Sequence, residues 1–185
     1  MDETEALSHV EMVAYDAAWP SDYAAERAEL IKLGGGAVLA LEHIGSTAVP
    51  GLPAKPIIDM MAAVADLRAG RSLAQTLTVQ GYALIETGMP KRLFLRRRSA
   101  QDGKLFQLHI VESAAWPGRH ERLMRDHLLG DPLAARAYAE LKTRLAREFA
   151  EDSLAYTRAK TAFIQALVDK ACAERGLAPI DVWND

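Results

Sequence analysis

Glu42-His43-Ile44-Gly45-Ser46-Thr47-Ala48-Val49-Pro50-Gly51-Leu52-Pro53-Ala54-Lys55-Pro56-Ile57-Ile58-Asp59 is the stretch on which the fold turns. It opens as a strand, breaks into a turn rich in Gly, Pro and hydroxyl residues, and enters a second apolar strand that holds one acid. Gly45 lets backbone approach a ligand closely, and Ser46 sets a hydroxyl beside its own N–H. Lys55 follows in a loop stiffened by Pro53 and Pro56. Donors for phosphate oxygens, together with a carboxylate for the metal that neutralises them, are what phosphoryl and nucleotidyl transfer require.

Upstream, the residues before Glu11 read as a disordered lead-in, and a short extended piece covers 10–15. At Trp19-Pro20-Ser21-Asp22 either Ser21 or Asp22 is expected to cap a helix through Tyr23, Arg27, Leu30 and Leu33, and Gly34-Gly35-Gly36 ends it. Strands are expected over 38–44 and 57–64, then a helix over 67–80 capped by Asp66 and closed by Gly81. Three further strands fall at 82–86, 92–97 and 105–112, the last two joined by a hairpin turn at 99–103. In the final strand Phe106, Leu108 and Ile110 share one face, and Gln107, His109 and Val111 the other. After Trp116-Pro117-Gly118 the period becomes helical. Leu123, His127 and Leu128 lie on one helix, Gly130-Asp131-Pro132 punctuates it, a second runs over 132–148, and Asp152 caps a third through Tyr156, Lys160 and Phe163. The expectation is one domain over 11–175, with a sheet part over about 11–113, a helical part over about 116–175 and an irregular tail over 176–185. Its class is α/β (α+β), a mixed, mostly antiparallel sheet of four or five strands with a three-helix layer.

A chain of 185 residues, half hydrophobic and a quarter charged, suits one soluble domain with a sizeable core. A net charge of −3 argues against a duplex-DNA binder. The single cysteine, Cys172, reads as a small buried apolar residue, with no cluster to bind zinc. Residues 1–10 are acidic and polar, unlike a signal peptide, and no apolar run reaches bilayer length, so a cytoplasmic protein is expected.

The glycine-rich turn is not a P-loop: Gly51 is followed by Leu52, and Lys55 by Pro56, where the Walker pattern needs Gly-Lys-Ser/Thr. A Gly-Ser ending one strand with an acid on the next resembles the nucleotidyltransferase superfamily. The wording His-Ile-Gly-Ser-Thr-Ala-Val-Pro-Gly-Leu-x-Ala-Lys-Pro-Ile-Ile-Asp resembles the GrpB family more closely, over about residues 13–168. That likeness includes Trp19-Pro20, Leu108-His109-Ile110-Val111, Arg125-Asp126-His127-Leu128, Tyr138 with Leu141-Lys142, and Tyr156 with Lys160. A similar domain is joined to dephospho-CoA kinase in some bacteria; the kinase portion has no counterpart here. The resemblance implies a nucleotidyltransferase-like fold. Gly45 and Ser46 match the superfamily's Gly-Ser, and Asp59 matches its first metal-binding acid. The second acid would stand at position 61, where Met61 offers a thioether, a poor Mg²⁺ ligand.

Glu42, His43, Glu86, His109 and Glu112 are the candidates to complete the site. On a strand only one of Glu42 and His43 can face the Gly-Ser turn, and Glu112 lies opposite His109. His109 ranks first, as a base or phosphate contact. Lys91, Arg92, Arg96, Arg97 and Arg98 concentrate positive charge in one hairpin arm, either as a solvated edge or as a clamp in which Arg92 or Arg96 holds a triphosphate. Tyr138 with Lys142, and Tyr156 with Lys160, are i,i+4 pairs on helices that commonly flank the nucleotide cleft in this fold. The expected site is thus Asp59, His109 and Lys55 as catalytic residues, Asp59 as the Mg²⁺ ligand, and Gly45, Ser46, Thr47, Arg92, Lys142, Tyr156 and Lys160 around a nucleoside triphosphate. The expected reaction moves a nucleotidyl group to a small-molecule or macromolecular acceptor. The alternative is a non-catalytic nucleotide or small-anion binder that lost its second acid at Met61.

Overall fold

The near-continuous apolar run of residues 57–64 is the signature of a strand covered on both faces, and in the computed structural model of this protein, which describes residues 9–89 and 91–183, that strand is central. Chain order is α1 (Trp19–Gly34), β1 (Ala40–Ile44), β2 (Ile57–Val64), α2 (Leu67–Leu77), β3 (Ala83–Ile85), β4 (Arg92–Arg98), β5 (Leu105–Glu112), α3 (His120–Gly130), α4 (Pro132–Glu148) and α5 (Ser153–Arg175). The sheet runs β1-β2-β5-β4-β3. Only β2 and β5 pair in parallel; the other neighbours are antiparallel. This is the mixed, mostly antiparallel architecture expected, with five strands.

One sheet face builds the main core. Leu41, Ile58, Met60, Leu95, Leu108 and Ile110 pack there against Leu30 of α1 and Leu73 and Leu77 of α2. Fully burying each such side chain stabilises the fold by roughly 1.5–3 kcal/mol. Gly70 on α2 permits the close approach, since a Cβ there would lie 3.1 Å from Cγ2 of Ile110. The other face carries the polar residues of the same strands, and α3, α4 and α5 cover it through their own clusters around Leu128, Tyr138 and Leu167, and around Leu123, Val168 and Cys172.

Two helix starts follow their capping signals. Asp66 Oδ1 accepts from Ala69 N–H at 2.7 Å, and Asp152 Oδ1 accepts from Leu154 and Ala155 N–H. The start of α1 departs from expectation. It begins at Trp19 with Pro20 in its first turn and has no side-chain cap, while Ser21 Oγ donates to Ala18 O. Proline fits that first turn because its N–H would be unpaired there anyway. Some elements are shorter than expected: α2 tightens into a 3₁₀ turn over Thr78–Gln80, and β3 keeps three residues. Of the expected lead-in, residues 1–8 lie outside the described set, whereas Val10 is buried with its N–H on Ala150 O at 2.7 Å. Beyond α5 the chain is irregular, with Leu177, Ile180 and Val182 packed against the Leu123 cluster. No described helix is long and apolar enough to cross a membrane.

The basic hairpin arm is not a solvated patch, because the strand alternation divides it. Arg97 turns to the α1 side and pairs with Glu26, whose Oε1 also accepts from the Tyr82 hydroxyl at 2.8 Å. Arg96 and Arg92 turn to the opposite face.

Candidate functional site

The Gly-Ser turn leaves β1 and folds back on β2. Gly45 has φ +71° and ψ −170°, a conformation open essentially to glycine. A Cβ at this position would stand 2.6 Å from Oδ2 of Asp59, so the turn presses directly on that carboxylate. Thr47 follows in a short 3₁₀ turn, 1% exposed. Its hydroxyl donates to Ile57 O at 3.1 Å and therefore accepts from Nε2 of His43 at 3.0 Å. That hydroxyl holds the turn against β2; its bonds leave it no reach toward a phosphate. Downstream, Val49 and Leu52 are buried against Leu128, Tyr138 and Leu167, and Lys142 Nζ donates to Pro53 O at 2.5 Å. The loop is thereby fastened to the helical layer.

Between the turn, the polar sheet face and α4–α5 lies a cleft of about 280 Å³. Ser46, Lys55, Asp59, Arg96, Lys142, Tyr156 and Lys160 line it, with Gln107. Strand register explains the sheet's share: Asp59 pairs with Gln107, which pairs with Arg96, one row across β2, β5 and β4. The helices contribute the rest. Lys160 Nζ stands 4.0 Å from the Tyr156 ring centroid, Lys55 Nζ 5.2 Å from the same ring, and Lys142 Nζ 4.8 Å from the Tyr138 ring. Lys55 Nζ also donates to Ser153 Oγ at 2.9 Å.

Four basic side chains around one carboxylate leave the ligand-free cleft short of negative charge, and burial shifts most of these groups from their ordinary values. Burial lowers Lys142 to about 7, with Lys160 adding repulsion. Burial lowers Lys160 to about 8, Lys55 pushes the same way, and Asp59 opposes them. Lys55 is lowered by burial against the pull of Asp59. Asp59 rises to about 7: burial dominates, Lys160 pulls it down, and Glu121 pushes it up. Asp59 is only partly exposed at the cleft floor, and the depth of protein around it explains the desolvation.

Of the expected site residues, the structure gathers Gly45, Ser46, Thr47, Lys55, Asp59, Lys142, Tyr156 and Lys160 at this turn and cleft. It does not bring Arg92 or His109 there. Arg92 is buried on the same strand face but one turn of the pleat beyond Phe94, at the other end from Arg96. Its Nη1 donates to Glu121 Oε1 at 2.5 Å and to His109 Nδ1 at 3.2 Å. Arg96 therefore takes the place expected of Arg92. His109 lines a second cavity, of about 200 Å³, which shares Ser46 and Asp59 with the cleft. Because guanidinium can only donate, Nδ1 of His109 is an acceptor and the neutral ring carries its proton on Nε2. Burial holds its pKa at about 4, so at neutral pH His109 is a donor in that cavity and not a base in the cleft.

The other candidates are engaged elsewhere. Glu42 faces the site side but forms ion pairs with Arg122 and Arg125. His43 faces α1 and stacks on Tyr23, with ring centroids 4.7 Å apart. Glu112 accepts from Leu67 N–H at the start of α2, and Glu86 is exposed beyond β3. Met61 points to the Asp59 face but is fully buried beside Ile44 and Val111. Among the described residues no group of three His, Cys, Asp or Glu side chains could hold a metal ion. The donor set would fit Mg²⁺ in one way only: Asp59 would supply a single oxygen ligand and the phosphate oxygens of a bound nucleotide the others.

Comparison with known proteins matches residues 9–170 to the model of the GrpB protein family. The chain belongs to the GrpB family. It is 36% identical over 171 residues to a UPF0157 protein of Pseudomonas aeruginosa, covering 89% of this chain and 68% of that one. It is 34% identical over 161 residues to a UPF0157 protein of Streptomyces coelicolor, covering 87% and 83%. The crystal structure of conserved protein GrpB from Enterococcus faecalis superposes with a TM-score of 0.80 at 28% identity, covering 90% of this chain and 99% of that one. A dephospho-CoA kinase of Mycolicibacterium paratuberculosis is 29% identical over 180 residues, which span 84% of this chain and 44% of the kinase.

Sequence reasoning missed Glu121, His120 and Gln107. Gln107 was readable, since it shares the His109 face of β5 and only needed the strand register. Glu121 sits at the start of α3 with no local signal of its destination: nothing in a helical period says which sheet face the helix will cover.

Proposed function

We propose that this GrpB-family protein binds a nucleoside triphosphate with Mg²⁺ and transfers a nucleotidyl group to an acceptor. One observation carries the reading: a single carboxylate, Asp59, set against a left-handed Gly45-Ser46 turn and ringed by Lys55, Arg96, Lys142 and Lys160. A triphosphate supplies the negative charge that this ring lacks, and compact lysines on two helices with an arginine on the sheet suit its dispersed oxygens. Ser46 and neighbouring N–H groups hold the phosphates, Lys142 and Lys160 clamp them from the helical side, and Arg96 closes the sheet side. Asp59 would hold the Mg²⁺, which supplies further neutralisation of phosphate charge when bound. In the transfer the acceptor oxygen forms a bond to the α-phosphorus, the α–β phosphoanhydride bond breaks, and pyrophosphate departs with the electron pair and receives the acceptor's proton. The protein's part is positioning and electrostatic stabilisation of the charge that moves to the leaving group.

A second reading has an observation of its own. The buried Met61 leaves Asp59 without the partner acid that two-metal chemistry uses, which favours a binder that holds nucleotide or a smaller anion without turnover. Calorimetry with ATP, GTP, CTP and UTP, with and without Mg²⁺, separates the two when joined to a pyrophosphate-release assay. Metal-dependent binding with release supports the enzyme. Binding without release across an acceptor panel supports the binder; no nucleotide binding defeats the enzyme, and no binding of inorganic phosphate or pyrophosphate either defeats the binder as well.

A further inference from the structure

The cationic cleft adjoins a larger groove of about 550 Å³, and Lys55 and Ile57 line both. Residues 9–16 serve both spaces: Met12 lines the cleft, and His9, Glu11 and Asp16 line the groove. Backbone bonds from Val10 N–H to Ala150 O and from Val13 N–H to Ala54 O hold that segment in place. Pro56, Ile57 and Leu105 give the groove an apolar strip with surface open to solvent. Its size lies within the roughly 300–1,000 Å³ usual for a small-molecule site.

Four carboxylates and three Lys or Arg side chains line the groove, and their pairing is uneven. Asp22 and Asp102 share Lys104, at 2.6 and 3.1 Å. Arg98 stands on the β4–β5 hairpin with Nη1 on Gly103 O at 3.0 Å, and Lys55 stands at the cleft end. His9 Nδ1 is 2.9 Å from Glu151 Oε1. Glu11 and Asp16 are exposed, and among the described residues neither is paired with a base. Asp16 Oδ1 accepts only from Ala18 N–H, at 2.8 Å, which leaves its charge uncompensated. Residues 1–8 add three acids and no Lys or Arg to the same end of the chain. The wall built by residues 9–16 is therefore acidic, beside a cleft that is basic.

We infer that this groove is the acceptor subsite of the transfer, and that it takes a small organic cation with an amine, an apolar body and a hydroxyl. The amine lies toward Glu11 and Asp16, the body along Pro56, Ile57 and Leu105, and the hydroxyl toward Lys55, where the cleft begins. Opposite charge in the two spaces sorts donor from acceptor: polyphosphate is drawn to the lysines and an amine to the carboxylates. An anionic acceptor meets like charge on the 9–16 wall. The inference rests on the nucleotide reading, because the groove is an acceptor site only if the cleft holds the donor.

The test uses the full chain, isotope-labelled for NMR, with tyramine as the probe. Neutral para-ethylphenol and anionic para-hydroxyphenylacetate are controls with the same body, and ATP binding is followed in parallel by calorimetry. At low salt tyramine is expected to bind with a Kd on the order of 1 mM, at least about threefold tighter than either control. It should move the amide signals of Glu11 and Leu105, and its margin should shrink as salt is raised. The double variant Glu11→Gln with Asp16→Asn changes two exposed side chains and is expected to bring the affinities for tyramine and para-ethylphenol together. An ATP analogue with a methylene bridge between the α- and β-phosphates, given with Mg²⁺, is expected to bind alongside tyramine. The inference is overturned, and the nucleotide reading left standing, by any of three results while ATP still binds. These are no tyramine binding, a preference unchanged in the double variant, or displacement of tyramine by the analogue, which would give the groove to the nucleoside. Failure of ATP and its analogue to bind the wild type overturns the nucleotide reading, and with it the acceptor role.

Discussion

At the scale of single residues, Gly45 and Asp59 act as one unit. Gly45→Ala meets both a forbidden backbone conformation and the carboxylate 2.6 Å away. It is expected to cost about 1–3 kcal/mol of stability in a urea melt and to weaken nucleotide binding. Asp59 has its carboxyl held near 7, above its ordinary 3.8, so between those values the native state binds more protons than the unfolded chain. That stabilisation is complete at low pH and is lost as pH rises through 7. Asp59→Asn removes the penalty of a buried charge. It is expected to raise stability at pH 8 by on the order of 1 kcal/mol while eliminating the Mg²⁺-dependent part of ATP affinity, and a melt and a titration read the two effects separately. Lys142 and Lys160 have the opposite sign. Lowered to about 7 and 8, they are partly neutral in the free protein, and a bound polyphosphate favours their charged forms. ATP binding should take up protons, seen as a buffer-dependent calorimetric heat, and affinity should fall by at least about tenfold between pH 7 and 9.

At the scale of elements, β4 separates structure from chemistry by register alone. Arg92 and Arg96 share a face and a strand, yet one is locked to Glu121 and the other opens on the cleft. Arg92→Ala removes one of the two arginines on the buried Glu121 carboxylate and is expected to cost about 1.5–3 kcal/mol. Arg96→Ala should leave the melting temperature nearly unchanged and weaken ATP binding instead. The exchange of effects between two arginines four residues apart is the check, and equal effects on stability would contradict the register argument. Sequence alternation already placed both on one face; it could not say which end of the strand the Gly-Ser turn would reach, because pairing partners lie far along the chain.

At the scale of the whole molecule, the cleft exists because two separately packed layers meet over the polar face of one sheet. The sheet with α1 and α2 forms one core, and α3–α5 form others, tied to the loop by Lys142 on Pro53 O and by Lys55 on Ser153. A ligand that bridges the layers stabilises only the folded state, so the melting temperature should rise with ATP concentration. The gain is about 2.7 kcal/mol at one hundred times Kd, and Lys142→Met should suppress it more than it lowers the baseline melt. Residues 42–59 carried much of the candidate site in one local segment, since a strand, a left-handed glycine and a returning strand bring Gly45, Ser46 and Asp59 together whatever else the chain does. The strand faces, most capped helices and the buried Cys172 were legible for the same reason: side-chain direction and capping depend on neighbours within four residues. Only the tertiary structure decided that Arg96 and not Arg92 reaches the cleft, that His109 opens on a second cavity, and that Glu121 comes to lie near Asp59. Those facts depend on register and helix docking between segments tens of residues apart, which burial over the whole fold selects and no local spacing records.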